Sequence, residues 1–251
     1  MNKYLKNLNK IEFVVTDACT GKCKHCSQGE HNSNVKLDTS LAADAVRKIA
    51  KEYSIKTVMT FGGEPLLCPE TVYAIHRAAM EMNISKRQLI TNGYFSKSAD
   101  EIQLVARKLA ECGVNEILLS VDAFHQETIP IEYVIEFARA ANKEKITLKA
   151  HPTWLVSDDN DNIYNIRTRE ILDIFRSMGI EISAGNVIFP SGNALKNFSE
   201  YFEKYGEAED PYEENPRNIR TVSFSANGDV LDSNIYKQDI LEILSAYSPQ
   251  M

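Results

Sequence analysis

Along the first 190 or so residues of this 251-residue chain, short β-branched runs alternate with longer amphipathic stretches about six times. That alternation restricts the fold more than any other feature. The pattern predicts strands at about 11–16, 57–61, 88–91, 116–121, 147–153 and 181–189. Helices are predicted between them, at about 39–53, 69–82, 99–111, 130–142 and 169–178. Asp38, Thr39 or Ser40 can cap the first helix, whose Leu41, Ala45, Val46 and Ile49 share a face. Pro69 suits a first helical turn, and Gly113 stands where a C-terminal glycine is expected. Residues 157–165 read as a polar loop. Strands this continuously apolar, each followed by a helix, indicate an α/β fold whose parallel sheet is buried on both faces. An open doubly wound sheet and a partial barrel both satisfy the pattern. Either one collects its chemistry at the C-terminal ends of the strands.

Beyond residue 189 the pattern changes. Residues 197–215 hold seven acids and the single base Lys204, and Asn227-Gly228 predicts a hairpin turn before a last helix at about 237–247. The sequence therefore divides into a core, 11–194, and a small hairpin–helix extension, 195–251. Lys and Arg total 28 against 35 Asp and Glu, a net charge of −7, so a phosphate-backbone-binding surface is not expected. No apolar run approaches the roughly 18 residues of a membrane span, and the polar start lacks a signal-peptide core. A cytoplasmic protein that engages neither membrane nor nucleic acid is the expectation.

Three of the five cysteines, Cys19, Cys23 and Cys26, lie within eight positions just past the first strand. Three thiols this close always leave one over, which argues against a disulfide framework and for metal or redox chemistry. A zinc site with His25 as fourth ligand is one reading, although His25 and Cys26 are adjacent where knuckle ligands are usually spaced. An iron–sulfur cluster is the other. Its usual complement is four ligands, so three cysteines would leave one iron open.

The spacing Cys-x3-Cys-x2-Cys after a first strand resembles the signature of the radical S-adenosylmethionine (SAM) superfamily. That resemblance implies a partial (β/α)6 barrel of parallel strands. It also implies one 4Fe–4S cluster on Cys19, Cys23 and Cys26, with SAM chelated at the open iron. Reductive cleavage of SAM would then give a 5′-deoxyadenosyl radical that abstracts hydrogen from a substrate, an oxidoreductase-type reaction fed by a flavodoxin- or ferredoxin-like donor.

Other strand ends fit the resemblance. Gly62-Gly63-Glu64-Pro65 is similar to the family's GGEP motif at the SAM amino group, and glycines there let backbone approach a ligand. A plain strand-to-helix turn is the bland alternative. Asn92 closes the third strand; Ser120 and Asp122 share a face at the end of the fourth and suit the hydroxyl and amino groups of SAM, or cap the next helix. Lys149 and His151 share a face on the fifth strand. Ile188 and Phe189, before Pro190-Ser191-Gly192-Asn193, resemble the segment that edges the adenine.

His125 is a candidate for acid–base work or substrate contact, Cys68 for hydrogen donation, and Gln28, Glu30 and His31 for the mouth of the site. Cys68 also suits packing at a helix start, and Cys112 reads as core. The tail around Asn227-Gly228-Asp229-Val230 resembles a SPASM-type extension, yet Leu231-Asp232-Ser233 stands where thiols would be expected. One cluster and no auxiliary cluster follows. A ribosomally made peptide is the first substrate expectation. A small-molecule or nucleoside-type substrate, an activator of a glycyl-radical enzyme, and a non-enzymatic iron–sulfur or zinc module are the alternatives.

Overall fold

The computed structural model describes residues 2–30 and 33–249. Its central sheet builds from the first strand outward. β1 (Lys10–Val14) pairs in parallel with β2 (Thr57–Phe61), then β3 (Lys86–Thr91), β4 (Glu116–Ser120), β5 (Thr147–His151) and the short β7 (Glu181–Ile182) follow in chain order. Between them run α1 (Thr39–Glu52), α2 (Pro69–Glu81), α3 (Ala99–Glu111), the single turn α4 (Ala123–Gln126), α5 (Ile131–Lys143) and α6 (Ile163–Ser177). Each helix lays an apolar stripe on the sheet, as Ala42, Ala45, Val46 and Ile49 do on α1. Asp38 caps α1, accepting from Ser40 N and Leu41 N at 2.9 Å each. The sheet stays open, with the edges of a partial barrel rather than a closed one.

Four departures from the sequence reading have physical causes. α6 begins at Ile163, inside the predicted loop, where Asn162 caps it, and the residues its first turns bury are polar. Asn165 and Thr168 are fully buried while Ile163 is 72% exposed, which hides the helical period. Asn165 closes the loop by bonding Leu155, Ser157 and Asn160 through their backbones. The predicted strand 181–189 is broken at Gly185: β7 joins the main sheet, and β8 (Asn186–Val187) pairs instead with β6 (Thr153–Trp154). Residues 192–205 form α7 (Gly192–Asn197) and α8 (Ser199–Tyr205), and Phe198 and Phe202 pack with Phe124, Leu155 and Ile188 in a second small core.

The fourth departure places the C-terminal hairpin. β9 (Thr221–Phe224) lies parallel to β1 on its other side, pairing Ile11 with Val222 and Phe13 with Phe224. The two phenyl rings stack at 4.7 Å, both fully buried. β10 (Asp229–Val230) and β11 (Ser233–Asn234) extend that edge, and α9 (Ile240–Ala246) docks on α1, where Lys48 pairs with Asp239. Residues 195–249 thus complete the same sheet as the core and bring new side chains to its C-terminal end. Among the described residues no helix is long and apolar enough to cross a membrane.

Candidate active site

The loop after β1 is held at its neck before it reaches the cysteines. Thr16 bridges to Lys36, Asp17 N donates to Val35 O, and Leu37 N donates to Val15 O. At its far side, Asn193 N donates to Cys26 O at 2.9 Å, and Asn193 Nδ2 reaches Cys23 O and Gly29 O. Ser191 Oγ bonds Ser27 O, and Asn197 Nδ2 bonds Lys24 O. Gly192 lies so close that a Cβ there would stand 2.5 Å from the Cys26 and Ser27 carbonyls. The segment after Phe189 therefore clamps the cysteine loop, a role the sequence did not signal.

Cys19, Cys23 and Cys26 line one cavity of about 490 Å³ at the C-terminal ends of the strands. Burial lifts the Cys19 thiol to about 12, with Glu64 and Cys26 adding to the rise against the Gly21 N–H 3.3 Å from its sulfur. Burial raises Cys23 further, with Asp122, Cys19 and Cys26 adding repulsion. Three thiolates in this space need a compensating cation, and deprotonation on binding one is the behaviour of metal ligands. The donor chemistry fits an iron–sulfur cluster.

A single zinc ion fits less well. With Zn–S near 2.3 Å its sulfurs would sit about 3.8 Å apart. Among the described residues, only His25, Asp122 and His125 bring three such donor atoms within 4.8 Å of one another. His25 packs against Phe124 and His125, ring centroids 5.1 and 4.7 Å away, and its buried Nδ1 has no protein partner. The Cys3His alternative is accordingly not preformed. Nor do His25, Asp122 and His125 make an ion site of their own, because the Asp122 oxygens are already engaged.

Asp122 is fully buried and caps α4. It accepts from Phe124 N at 3.0 Å, His125 N at 2.9 Å, Thr153 N at 3.0 Å and His125 Nδ1 at 2.8 Å. Burial works to raise its carboxyl, but His125 beside it and these bonds hold it near 2. Of the two roles the sequence allowed Asp122, contact with SAM or capping of the next helix, the structure shows the cap, one step behind His125. Because a carboxylate only accepts, the His125 Nδ1 donates to Asp122, which fixes the orientation of a ring that lines the cavity.

Glu64 is fully buried, with Oε1 accepting from Leu66 N and Thr91 Oγ1 and Oε2 from Asn92 N. It ties the end of β2 to the end of β3. Pro65 is likewise buried, opening a short 3-10 turn. Burial pushes the Glu64 carboxyl up to about 7, against the hydrogen bonds from Thr91, Leu66 and Asn92. A folded-state value above the unfolded 4.5 gives stability that is full at acid pH and drains as pH climbs through about 7. Urea denaturation at pH 5 and pH 8 should therefore show wild-type losing more stability than Glu64→Gln, by a few kcal/mol. Equal losses would mean the carboxyl does not titrate there.

Gly62, Gly63, Asn92, Ser120, Ile188 and Phe189 all line the cavity, as do His151 and Gln28. Asn92 Nδ2 lies 3.6 Å from Cys19 Sγ. Two candidates fall elsewhere. Lys149 pairs with Glu181 at 2.9 Å on the neighbouring strand, away from the lining. Cys68 joins the 3-10 turn to α2, its N–H on Pro65 O, and packs against the main core, so it is not placed to donate hydrogen. Glu30 pairs with Lys196 outside the lining, and His31 lies outside the described residues. Sequence reasoning missed Glu12, Asn186, Asp210, Tyr212, Ser223 and Ser225, which line the cavity from the strand interior and the C-terminal segment. Ser223 comes to lie beside Glu12 only through the β1–β9 pairing.

A family model described as the Radical SAM superfamily matches residues 13–151. A probable GTP 3′,8-cyclase from Saccharolobus solfataricus is 25% identical over 219 residues, 81% of this chain and 68% of that protein. A GTP 3′,8-cyclase from Clostridium perfringens is 26% identical over 129 residues, 50% of this chain and 38% of its own length. Among solved structures, Streptococcus suis SuiB bound to S-adenosylmethionine superposes with a TM-score of 0.65 at 14% identity, covering 97% of this chain and 66% of that one. Native anSMEcpe with bound AdoMet gives 0.60 at 13%, over 94% and 80%. At such identities the structural likeness establishes the fold, and the chain spans about two thirds or less of the length of several of these proteins.

Proposed function

Because the chain belongs to the radical SAM superfamily of enzymes, which use a 4Fe–4S cluster and SAM, we propose that it is a peptide-modifying member of that family. Cys19, Cys23 and Cys26 would hold the cluster. When bound, that group supplies the electron that cleaves SAM to methionine and a 5′-deoxyadenosyl radical, which takes hydrogen from the substrate.

The chain's own residues prepare the site for this. The Gly21 N–H and the Asn92 amide direct hydrogen bonds at the Cys19 sulfur, a recognised means of tuning a cluster's potential. Gly62 and Gly63 leave backbone open to the cavity. Asp122 holds the His125 ring at the cavity wall through the bond to its Nδ1. A flavodoxin- or ferredoxin-like protein would deliver the electron.

The observation that carries the peptide reading is the composition of the wall. None of the described residues lining the cavity is Lys or Arg. Burial lowers the pKa of both His25, to about 3, and His151, and the His125 ring is already engaged by the buried Asp122 carboxylate. A nucleoside triphosphate needs cations about its phosphates; an uncharged peptide segment does not. The likeness to SuiB, also crystallised bound to precursor peptide SuiA, agrees with this reading. A nucleotide substrate is the second reading, and the relatives named GTP 3′,8-cyclases favour it.

The test is anaerobic reconstitution with iron and sulfide, then dithionite, SAM and either GTP or a precursor peptide encoded beside the gene. The expected result is 5′-deoxyadenosine together with a mass change in the peptide and none in GTP. Consumption of GTP would replace the peptide reading, and absence of 5′-deoxyadenosine would remove the enzymatic one.

A further inference from the structure

The side of the cavity formed with the C-terminal segment has its own chemistry. Glu12 points inward from β1 and is only 4% exposed. Its carboxylate accepts from Ser223 Oγ on β9 at 2.9 Å and is paired with Lys10 at the start of its own strand. Asn186 of β8 donates to the Tyr212 hydroxyl at 3.2 Å, which ties the segment before β9 to the last parallel strands. The Tyr212 ring stands edge-on to Phe189 at 6.2 Å. Asp210 accepts from Tyr212 N at 2.8 Å and has no ion-pair partner among the described residues. Segments around residues 12, 186 and 210–223 thus bring two carboxylates, a phenol, an amide and a hydroxyl to one wall of an open cavity, with Asp210 and Tyr212 exposed to solvent there.

We propose that this wall is a substrate subsite for a positively charged group, the ammonium of a lysine or the guanidinium of an arginine. The inference rests on the radical SAM reading of the same cavity. Lys10 balances Glu12, which leaves the Asp210 charge uncompensated. With no Lys or Arg in the lining, nothing in the wall repels an entering cation. Carboxylate and aromatic face together are what such a cation takes: a charge-assisted hydrogen bond to one and the ring quadrupole of the other. Phosphorylated or acidic groups are disfavoured by the same charges. A free amine and a peptide side chain share this chemistry, and the probes separate them.

The experiment uses anaerobically reconstituted full-length protein saturated with SAM. Calorimetry measures binding of acetylated, amidated glycine pentapeptides carrying a central lysine, arginine, glutamine or glutamate, and of Nα-acetyl-lysine amide. Lysine and arginine peptides are expected to bind at least tenfold more tightly than the glutamine peptide, and the glutamate peptide more weakly than all. The preference should shrink in 0.5 M salt, about threefold above physiological ionic strength, and fall below threefold in Asp210→Asn. Binding of the single-residue amide equal to that of the pentapeptide would support the subsite and identify a small amine as its source. Equal binding of the lysine and glutamine peptides, no binding of the lysine peptide, or a preference unchanged in Asp210→Asn would overturn it. Dithionite-dependent cleavage of SAM, followed in the same preparation, judges the radical SAM assignment separately.

Discussion

Replacing any one of Cys19, Cys23 or Cys26 by alanine is expected to abolish reductive cleavage of SAM and to leave the protein with little or no bound iron. The cluster ordinarily takes four ligands, and this chain offers three in the cavity, so each deletion leaves two. Losing a mere outer-shell partner of a metal ligand typically costs 10–100-fold in affinity or activity, and losing a ligand itself should cost roughly a hundredfold or more. Burial adds to the effect. With the Cys19 thiol lifted to about 12, the sulfurs give up their protons only to a cation that all of them share. Iron and sulfide content with 5′-deoxyadenosine yield reads the outcome. Cys68→Ala is the matched control, expected to load and turn over as wild-type, because Cys68 packs at the start of α2 outside the cavity. A variant at position 19, 23 or 26 with wild-type iron and turnover would refute the assignment.

The sequence carried those cysteines openly because ligand spacing within one loop is a local property. The parallel sheet was legible for a similar reason: period and alternation are written residue by residue. What escaped was whatever depends on a distant partner. α6 has Asn165 on its buried face, and only the neighbouring loop explains why a polar residue belongs there. Asp122 and Glu64 were recognised as functional residue types at the right strand ends. Their carboxylates nonetheless point inward, since buried backbone N–H groups at Phe124, Thr153, Leu66 and Asn92 need acceptors. Lys149 shares a strand face with His151, yet Glu181 on the next strand claims it. The wall containing Asp210, Tyr212 and Ser223 could be seen only once β9 was paired with β1, a contact across more than 200 residues that no period in the sequence announces.

Gly63→Ala is the second large effect, and it follows from contact rather than from backbone freedom. A Cβ at position 63 would stand 2.1 Å from the Ala18 carbonyl oxygen, 2.6 Å from its carbon and 2.8 Å from the Asp17 oxygen. All three are main-chain atoms, so no rotamer change relieves the overlap. The two segments are also laced together there: Gly63 N donates to Thr16 O and Glu64 N to Ala18 O, each at 2.8 Å. Making room for a methyl group breaks one of these bonds or moves Ala18, and Ala18 is bonded directly to Cys19. Overpacking of this kind generally costs 1–3 kcal/mol, occasionally more, and the upper part of that range is expected here. The displacement falls on Cys19, the first of the proposed cluster ligands, so iron loading should drop below one cluster per chain even where the protein remains folded. Gly179→Ala provides the contrast. Its φ of +74° strains any side chain, but a Cβ there meets nothing within 4 Å. That variant should lose roughly 1 kcal/mol and load iron normally. Urea denaturation and iron analysis on the two variants separate strain from displacement. Full iron loading in Gly63→Ala would show that the close approach of β2 to the cysteine loop does not seat Cys19.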